Sequence, residues 1–517
     1  MMKKSFFANG LKSKTRSRKR ALCAFALAVT NIAIGVLTIS CGEQKQTETP
    51  DTTKNTASSS SKAAEGGSDG LKLGALLPQT GDLGSIGQHL PQAIRLVVDK
   101  VNKECAGVNG KPVELFVEDD QTNPEAGTAA MTKLVEQNKV AGVVGSFASS
   151  VSTAALSVAV KNKVMLISPG STSPVFTEKA KTGEFNGFWA RTAPPDVYQA
   201  QALAKLAYDK GFKKAATIVI NNDYGVGFEK EFVKSFKALG GTIVNESKPN
   251  RYDAKATDFT SDVTSLVGAK PDVLAAILYV ETGTSFLKTA YQQGLKTQIL
   301  LTDGVYAPTF PEQVGKNPEG KYILEGALGT VPGASGVALK DFTDLWTKET
   351  KKELTAYLPH AWDAAALLML AAEASKQNTG EGIKSKLRDV ANGPGEEVSD
   401  VCQGLKLIRE GKDINYQGAS SNVDIDENGD VVGSYDVWTV KPDGKLAVTD
   451  KINLESSAKP DAKPSDKSED KSKKPAPKLK EKVEDQPSDT KSEDQPKKPA
   501  PKLKETPSAT PSEQPKN

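Results

Sequence analysis

Between residues 71 and 454 short apolar runs alternate with longer amphipathic stretches, and Gly, Pro, Asn and Asp punctuate the joins. Short apolar runs suit strands buried on both faces, and longer amphipathic ones suit helices laid over them, so the pattern predicts an α/β architecture. Strands are expected at 71–77, 113–117, 141–145 and 164–167, with helices at 91–103, 124–138 and 150–160 between them. Asn123 before Pro124 marks a helix start, because the Asn side chain can accept from an unpaired N–H of the first turn and proline needs no donor there. After Trp189-Ala190-Arg191-Thr192 the pattern restarts, with helices at 198–209, 227–239, 258–266 and 284–292 and strands at 215–220, 242–244, 273–279 and 298–301. Two units of similar size imply two lobes with a cleft between them. Open parallel sheets take ligands beyond the carboxyl ends of their strands. A site is therefore expected in loops 78–87, 119–123, 145–150, 168–174 and 221–227 and in the turns after Tyr279 and Leu301, several of which combine glycine with hydroxyl or carboxylate residues.

The two ends do not share this pattern. A basic run at 12–20 precedes an uncharged apolar stretch at 21–40, which reads as an export signal and is also long enough for a single membrane span. Thr38-Ile39-Ser40-Cys41-Gly42 resembles a bacterial lipoprotein signal, although Thr38 stands where that family usually has leucine. The resemblance implies lipidation of Cys41 and cleavage before it, giving a signal segment at 1–41. An uncleaved anchor is the alternative, and both readings tether the folded part outside the cytoplasmic membrane. Residues 42–70 hold almost nothing to bury and are expected to be a flexible linker. Residues 456–517 form a Pro/Lys/Glu-rich tail without an aromatic residue, in which KKPAPKLKE at 473–481 recurs at 497–505. A disordered solubilising extension is expected, with contact to anionic cell-wall polymer as the alternative.

Lys and Arg total 67 against 64 Asp and Glu, so no basic footprint for nucleic acid is present. The only histidines are His89 and His360; Ser149 lacks a Gly-x-Ser-x-Gly elbow and no His-Glu-x-x-His motif occurs. No enzyme activity, metal or cofactor is therefore expected. Cys23 lies in the signal and Cys41 is the lipidation candidate, which leaves Cys105 and Cys402. In an oxidising compartment they can pair, or stand as two separate buried thiols, and spacing does not decide.

Several loops, taken in order, carry a family likeness. Gly74 to Gly81 (GALLPQTG), Val117 to Gln121 (VEDDQ), Val144 to Ser150 (VGSFASS), Ile167 to Pro174 (ISPGSTSP), Asp223-Tyr224-Gly225, Gly294 to Gln298 (GLKTQ) and Ala361-Trp362-Asp363-Ala364 resemble the branched-chain-amino-acid-type substrate-binding proteins of ABC importers. The likeness spans the whole core. It implies a type I periplasmic-binding fold: two parallel-sheet lobes joined by a three-crossover hinge, with lobe 1 at 71–191 and 326–415 and lobe 2 at 192–325 and 416–455. It further implies a monomer that closes over an amino acid and delivers it to permease subunits in the cytoplasmic membrane.

By the same resemblance, Ser149 and Ser150 would bind the ligand carboxylate at a helix start. Thr172 and the Gly170 carbonyl would meet the zwitterion from the next loop, and Asp303 would take the ammonium in place of a more usual glutamate. Tyr224 and Tyr279 would cover the ligand, and Ile86 falls where the family places an aromatic residue beside the ligand's side chain. No additional charge partner is evident, so a neutral or aliphatic amino acid is expected. Urea, an amide or an aromatic acid, or a sensory or scaffolding envelope lipoprotein, are the alternatives.

Overall fold

The computed structural model describes residues 70–453. Cys41, the signal segment and the Pro/Lys/Glu-rich tail lie outside the described residues, as does the spacer up to residue 69. The first sheet contains β1 (Lys72–Leu77), β2 (Glu114–Asp119), β3 (Gly142–Gly145), β4 (Met165–Ser168) and β5 (Trp189–Arg191), all parallel in the order β2-β1-β3-β4-β5. Its inner strands β3 and β4 are buried at every position, which is why they read as unbroken apolar runs. Connections leave β1 and β3 toward opposite sides, so a crevice opens beyond their carboxyl ends. The start of the Pro124–Glu136 helix is capped as its sequence demands, Asn123 Oδ1 accepting from Ala126 N at 2.8 Å.

The second sheet is built from β6 (Lys214–Ile220), β7 (Thr242–Ile243), β8 (Asn250–Tyr252), β9 (Val273–Ile277), β10 (Gln298–Leu301) and β11 (Leu328–Pro332). A small pair, β12 (Glu396–Val398) and β13 (Ile414–Tyr416), stands apart, and β14 (Ser434–Val440) and β15 (Leu446–Asn453) complete the second sheet in the order β15-β14-β11-β10-β9-β6-β7, with β8 on β6. This sheet is parallel except at one edge, where β14 runs antiparallel to both β11 and β15.

The chain passes between the sheets three times: after β5, after β11 and between β13 and β14. The expected return to lobe 1 at 326 comes later, because β11 pairs with β10 and β14 and the chain leaves the second sheet only after Pro332. The return crossover is held by Asp363, whose carboxylate accepts from Ala419 N, Ser420 N, Ser420 Oγ and Tyr416 OH. Arg191 at the end of β5 ties the first crossover to the third, through Asp430 Oδ1 at 2.7 Å and the carbonyls of Ser171 and Ser173.

Below the first sheet the Leu358–Ser375 helix is buried nearly all round and packs against the Leu90–Glu104 and Gly380–Ala391 helices. Cys105 and Cys402 form a disulfide, Cα atoms 5.2 Å apart, that joins the end of the Leu90–Glu104 helix to the start of the Val401–Arg409 helix.

Candidate functional site

The crevice loops are fixed before any ligand contact is considered. At the end of β2, Asp119 accepts from Gln79 N, Thr80 N and Thr80 Oγ1 at 2.6–3.2 Å and so shapes the loop after β1. Asp120 is buried against Ser146 Oγ and Thr122 N, and burial pushes its carboxyl up to about 6. The acidic run after Val117 is therefore scaffolding for two loops.

Ser149 opens the Ser149–Lys161 helix, which has no side-chain cap, so backbone N–H groups are unpaired at its start. It is buried, and its Oγ accepts from Ser173 N at 3.3 Å. Thr172 is fully buried and its hydroxyl makes no hydrogen bond. At Gly170 an added Cβ would run into the Phe147 ring, so only glycine lets this loop lie against that residue.

Opposite them sits a carboxylate. Asp303 follows β10 in a single 3-10 turn and is 3 % exposed. Its Oδ1 accepts from Gln199 Nε2 at 2.8 Å and lies 3.0 Å from the Tyr224 hydroxyl, while Oδ2 accepts from Tyr357 OH at 2.8 Å. Burial nevertheless raises its pKa above the usual carboxylate value, the three donors working against that rise. Tyr224 and Tyr279 stack at 5.6 Å with nearly parallel rings, and Phe147 meets the edge of Tyr357 at 4.7 Å. A second carboxylate is close: Asp196, first residue of the Asp196–Asp209 helix, is completely buried with both oxygens unpartnered. Its backbone N–H donates to Thr172 O at 2.8 Å.

The lobes are in contact across this site. Asp82, on the loop after β1, accepts from Glu281 N (2.6 Å), Thr282 N (3.0 Å) and Thr282 Oγ1 (2.7 Å), capping the Val280–Gln292 helix of the other lobe. Nearby, Thr153 Oγ1 donates to Asp223 Oδ2 at 2.7 Å and Ser173 Oγ donates to Asp223 O at 2.7 Å. This is a closed arrangement, and Ile86, Tyr224 and Tyr279 are each buried in it.

Asp303, Tyr224 and Tyr279 are joined directly by these contacts, and Ser149, Gly170 and Thr172 stand on the two loops of the facing lobe. Ser150, half-buried on the helix, and Ile86, in the short Gly84–Gly87 helix, stand outside this set of contacts. Tyr224 lies in a helix that begins at Asp223 and not, as expected, near 227, because Asn222 Oδ1 caps it through Gly225 N. Likewise the strand expected to reach Tyr279 stops at Ile277, and Tyr279 occupies the N-cap of the next helix. Sequence reasoning missed Asp196, Gln199, Tyr357 and Asp82. Pro194-Pro195-Asp196 signals a helix start, and Gln199 follows three residues on, but neither signal says that the acid faces inward. Both histidines lie at helix starts: His89 flanks one, and His360 is buried with burial holding its pKa down to about 3. Among the described residues no His, Cys, Asp and Glu group is arranged to hold a metal ion.

Residues 89–443 match the receptor family ligand binding region. The chain is 26 % identical over 376 residues to the chemotactic signal transduction system substrate-binding protein BasB of Halobacterium salinarum, covering 69 % of this chain and 83 % of that one. It is 27 % identical over 320 residues to Leu/Ile/Val-binding protein homolog 1 of Brucella suis, covering 61 % and 82 %. Among solved structures it is similar to the leucine binding protein LivK of Thermotoga maritima, with TM-score 0.62, 26 % identity, and coverage of 74 % of this chain and 99 % of that one.

Proposed function

Because the chain belongs to the receptor family ligand binding region family, whose relatives are substrate-binding proteins and not enzymes, we propose that it captures a neutral or branched-chain amino acid outside the cytoplasm and presents it to an ABC permease. The observation that carries this reading is a pair of opposed polarities across the closed crevice. One lobe offers a helix start with Ser149 and unpaired N–H groups, and the other offers the buried carboxylate of Asp303, held only by neutral donors. An amino-acid zwitterion satisfies both ends, and each of its charges needs such a partner once water is removed.

In this mechanism the carboxylate of the ligand docks on Ser149 and Ser150 with Thr172 beside it. The ammonium meets Asp303 and the Gly170 carbonyl, while the Tyr224–Tyr279 stack closes over the aliphatic part. Rotation about the three crossovers brings Asp82 onto the Val280–Gln292 helix, and the permease recognises the closed form. Export through the 1–41 segment, lipidation at Cys41 and delivery as a monomer complete the proposal. The match to the chemotactic relative favours a second reading in which the same closed form reports ligand to a sensory partner. Loss of amino-acid uptake on deleting the gene supports transport; intact uptake with lost taxis supports sensing.

The test is thermal-shift screening of residues 71–455 against amino acids, urea and simple carboxylates, since a ligand that binds only the native state raises the melting temperature. A neutral amino acid should stabilise the parent and fail to stabilise Asp303→Ala. Stabilisation by urea or a carboxylic acid alone would refute the proposal.

A further inference from the structure

Asp196 and Asp303 form a buried acidic pair for which the described residues supply no free cation. Asp196 is completely buried, and no hydrogen bond of good geometry reaches its oxygens, although the neighbouring Thr172 hydroxyl acts to lower the pKa of its carboxyl. Asp303 is almost as buried, and all three of its side-chain donors are neutral. The two carboxyl groups repel each other electrostatically, and Gln199, one turn along from Asp196 on the same helix, donates to Asp303. Arg191 is the guanidinium in range of Asp196, but four of its five N–H groups are committed to Asp430, Thr177 and the carbonyls of Ser171 and Ser173, and its charge is paired with Asp430. The other titratable groups that face the pair are the phenols of Tyr224, Tyr279, Tyr357 and Tyr435, all neutral. Asp196 heads a helix, where the dipole favours negative charge, yet its side chain accepts none of the first-turn N–H groups. Two further polar atoms at this place, Thr172 Oγ1 and Gln199 Oε1, are also unpartnered.

Like charges in one dry site cannot both ionise without a counterion, and the usual resolution is a retained proton. We propose that Asp196 is a second acidic determinant of ligand choice: Asp196 and Asp303 together hold one proton while the site is empty, and release it when a ligand's ammonium group enters. In that step the O–H bond of the shared proton breaks and the proton passes to solvent. The incoming –NH3+ donates to the freed carboxylates, to Thr172 Oγ1 or to Gln199 Oε1, and the net charge of two carboxylates with one ammonium equals that of the singly protonated empty pair. The site then selects for ammonium-bearing ligands and against acids or amides of the same shape. Burial raises both carboxyls in the direction this requires.

The inference rests on the zwitterion reading, and calorimetry separates the two. L-Leucine, L-valine and L-alanine are titrated into the full chain in buffers of different ionisation enthalpy, beside 4-methylpentanoate and 4-hydroxybenzoate, which lack an ammonium group. The expected result is binding of an amino acid with release of up to one proton, release shrinking as pH rises, and no release in Asp196→Asn. Amino-acid binding with a heat independent of buffer overturns the shared proton and leaves the function intact; binding of the ammonium-free acids alone overturns both. A ligand-free measurement keeps the proposal testable if none of these binds: 13C NMR of the aspartate carboxyls should show, beside the buried Asp120 and Asp363, one further acid titrating well above the usual range that disappears in Asp196→Asn. Two carboxyls titrating normally would refute it.

Discussion

Asp303 shows what one residue does here and how much of it the sequence disclosed. Its place in Leu301-Thr302-Asp303-Gly304 suggested an ammonium partner, but aspartate is a methylene shorter than the usual glutamate. In the structure Gln199, Tyr224 and Tyr357 hold its carboxylate. Those donors come from three distant parts of the chain, so no local pattern could announce them. Asp303→Asn should weaken amino-acid binding by about 2–5 kcal/mol, the cost of removing one side of a buried charged contact, measured by calorimetry. Tyr357→Phe, which removes one donor and leaves the ring on Phe147, should cost about 1 kcal/mol.

His360 and the buried acids carry a pH signature. Asp120 and Asp363 are held near 6 by burial, above their unfolded value of 3.8, so both take up a proton in the folded state before the unfolded one does. Their stability contribution is fullest below about 4 and is lost as pH rises through 6. His360, held down to about 3, acts oppositely: its contribution is present above 6.5 and is lost as pH falls toward 3. Each group is worth on the order of 1 kcal/mol between pH 7 and 5. Removing the histidine in His360→Leu should therefore make the melting temperature rise more steeply from pH 7 to pH 5 than in the parent, as read by scanning calorimetry at matched ionic strength. An unchanged slope would contradict this assignment.

At the scale of elements the alternating pattern was legible because each signal is local. Buried parallel strands show as apolar runs, and Asn123 caps the helix it was expected to cap. Errors fell where packing overrides local preference. Gly225 and Gly227 suggested a loop, but Gly225 lies against the end of β6, where a side chain would meet Ile220 O, and Asn222 starts the helix early. The last third of the core was scarcely legible, since β11 and β14 pair with each other across about a hundred residues of sequence. The Asp82 contact to the Val280–Gln292 helix was likewise invisible, because a turn aspartate looks the same whether or not another lobe closes on it. Asp82→Ala should leave the fold intact and weaken ligand binding about tenfold or more, chiefly through faster release, because the closed form loses three hydrogen bonds that the open form never had. Stopped-flow dissociation rates check this, and an unchanged rate would show that the contact does not support closure.

For the whole molecule, the two lobes and their three crossings follow from sheet order, and the crossings after β11 and after β13 lie later in the chain than the expected boundaries at 326 and 416. The Cys105–Cys402 disulfide closes a loop of nearly three hundred residues around both lobes. Spacing alone could not reveal it. Replacing both cysteines by serine should lower stability by about 2–5 kcal/mol without altering ligand preference, measured by urea denaturation of oxidised parent and variant. In the proposed mechanism the lobes open and close about the crossovers, and a ligand that holds them together from both sides favours the closed form.

The central claim, that the crevice is built for an amino-acid zwitterion, is tested most directly by calorimetric titration of the folded core with leucine and with 4-methylpentanoate, the same carbon skeleton without its ammonium. Binding of leucine, loss of that binding in Asp303→Asn and no heat from 4-methylpentanoate is the predicted result. Equal binding of the two compounds would contradict the account, because it would mean that the buried carboxylates play no part in recognising the ligand.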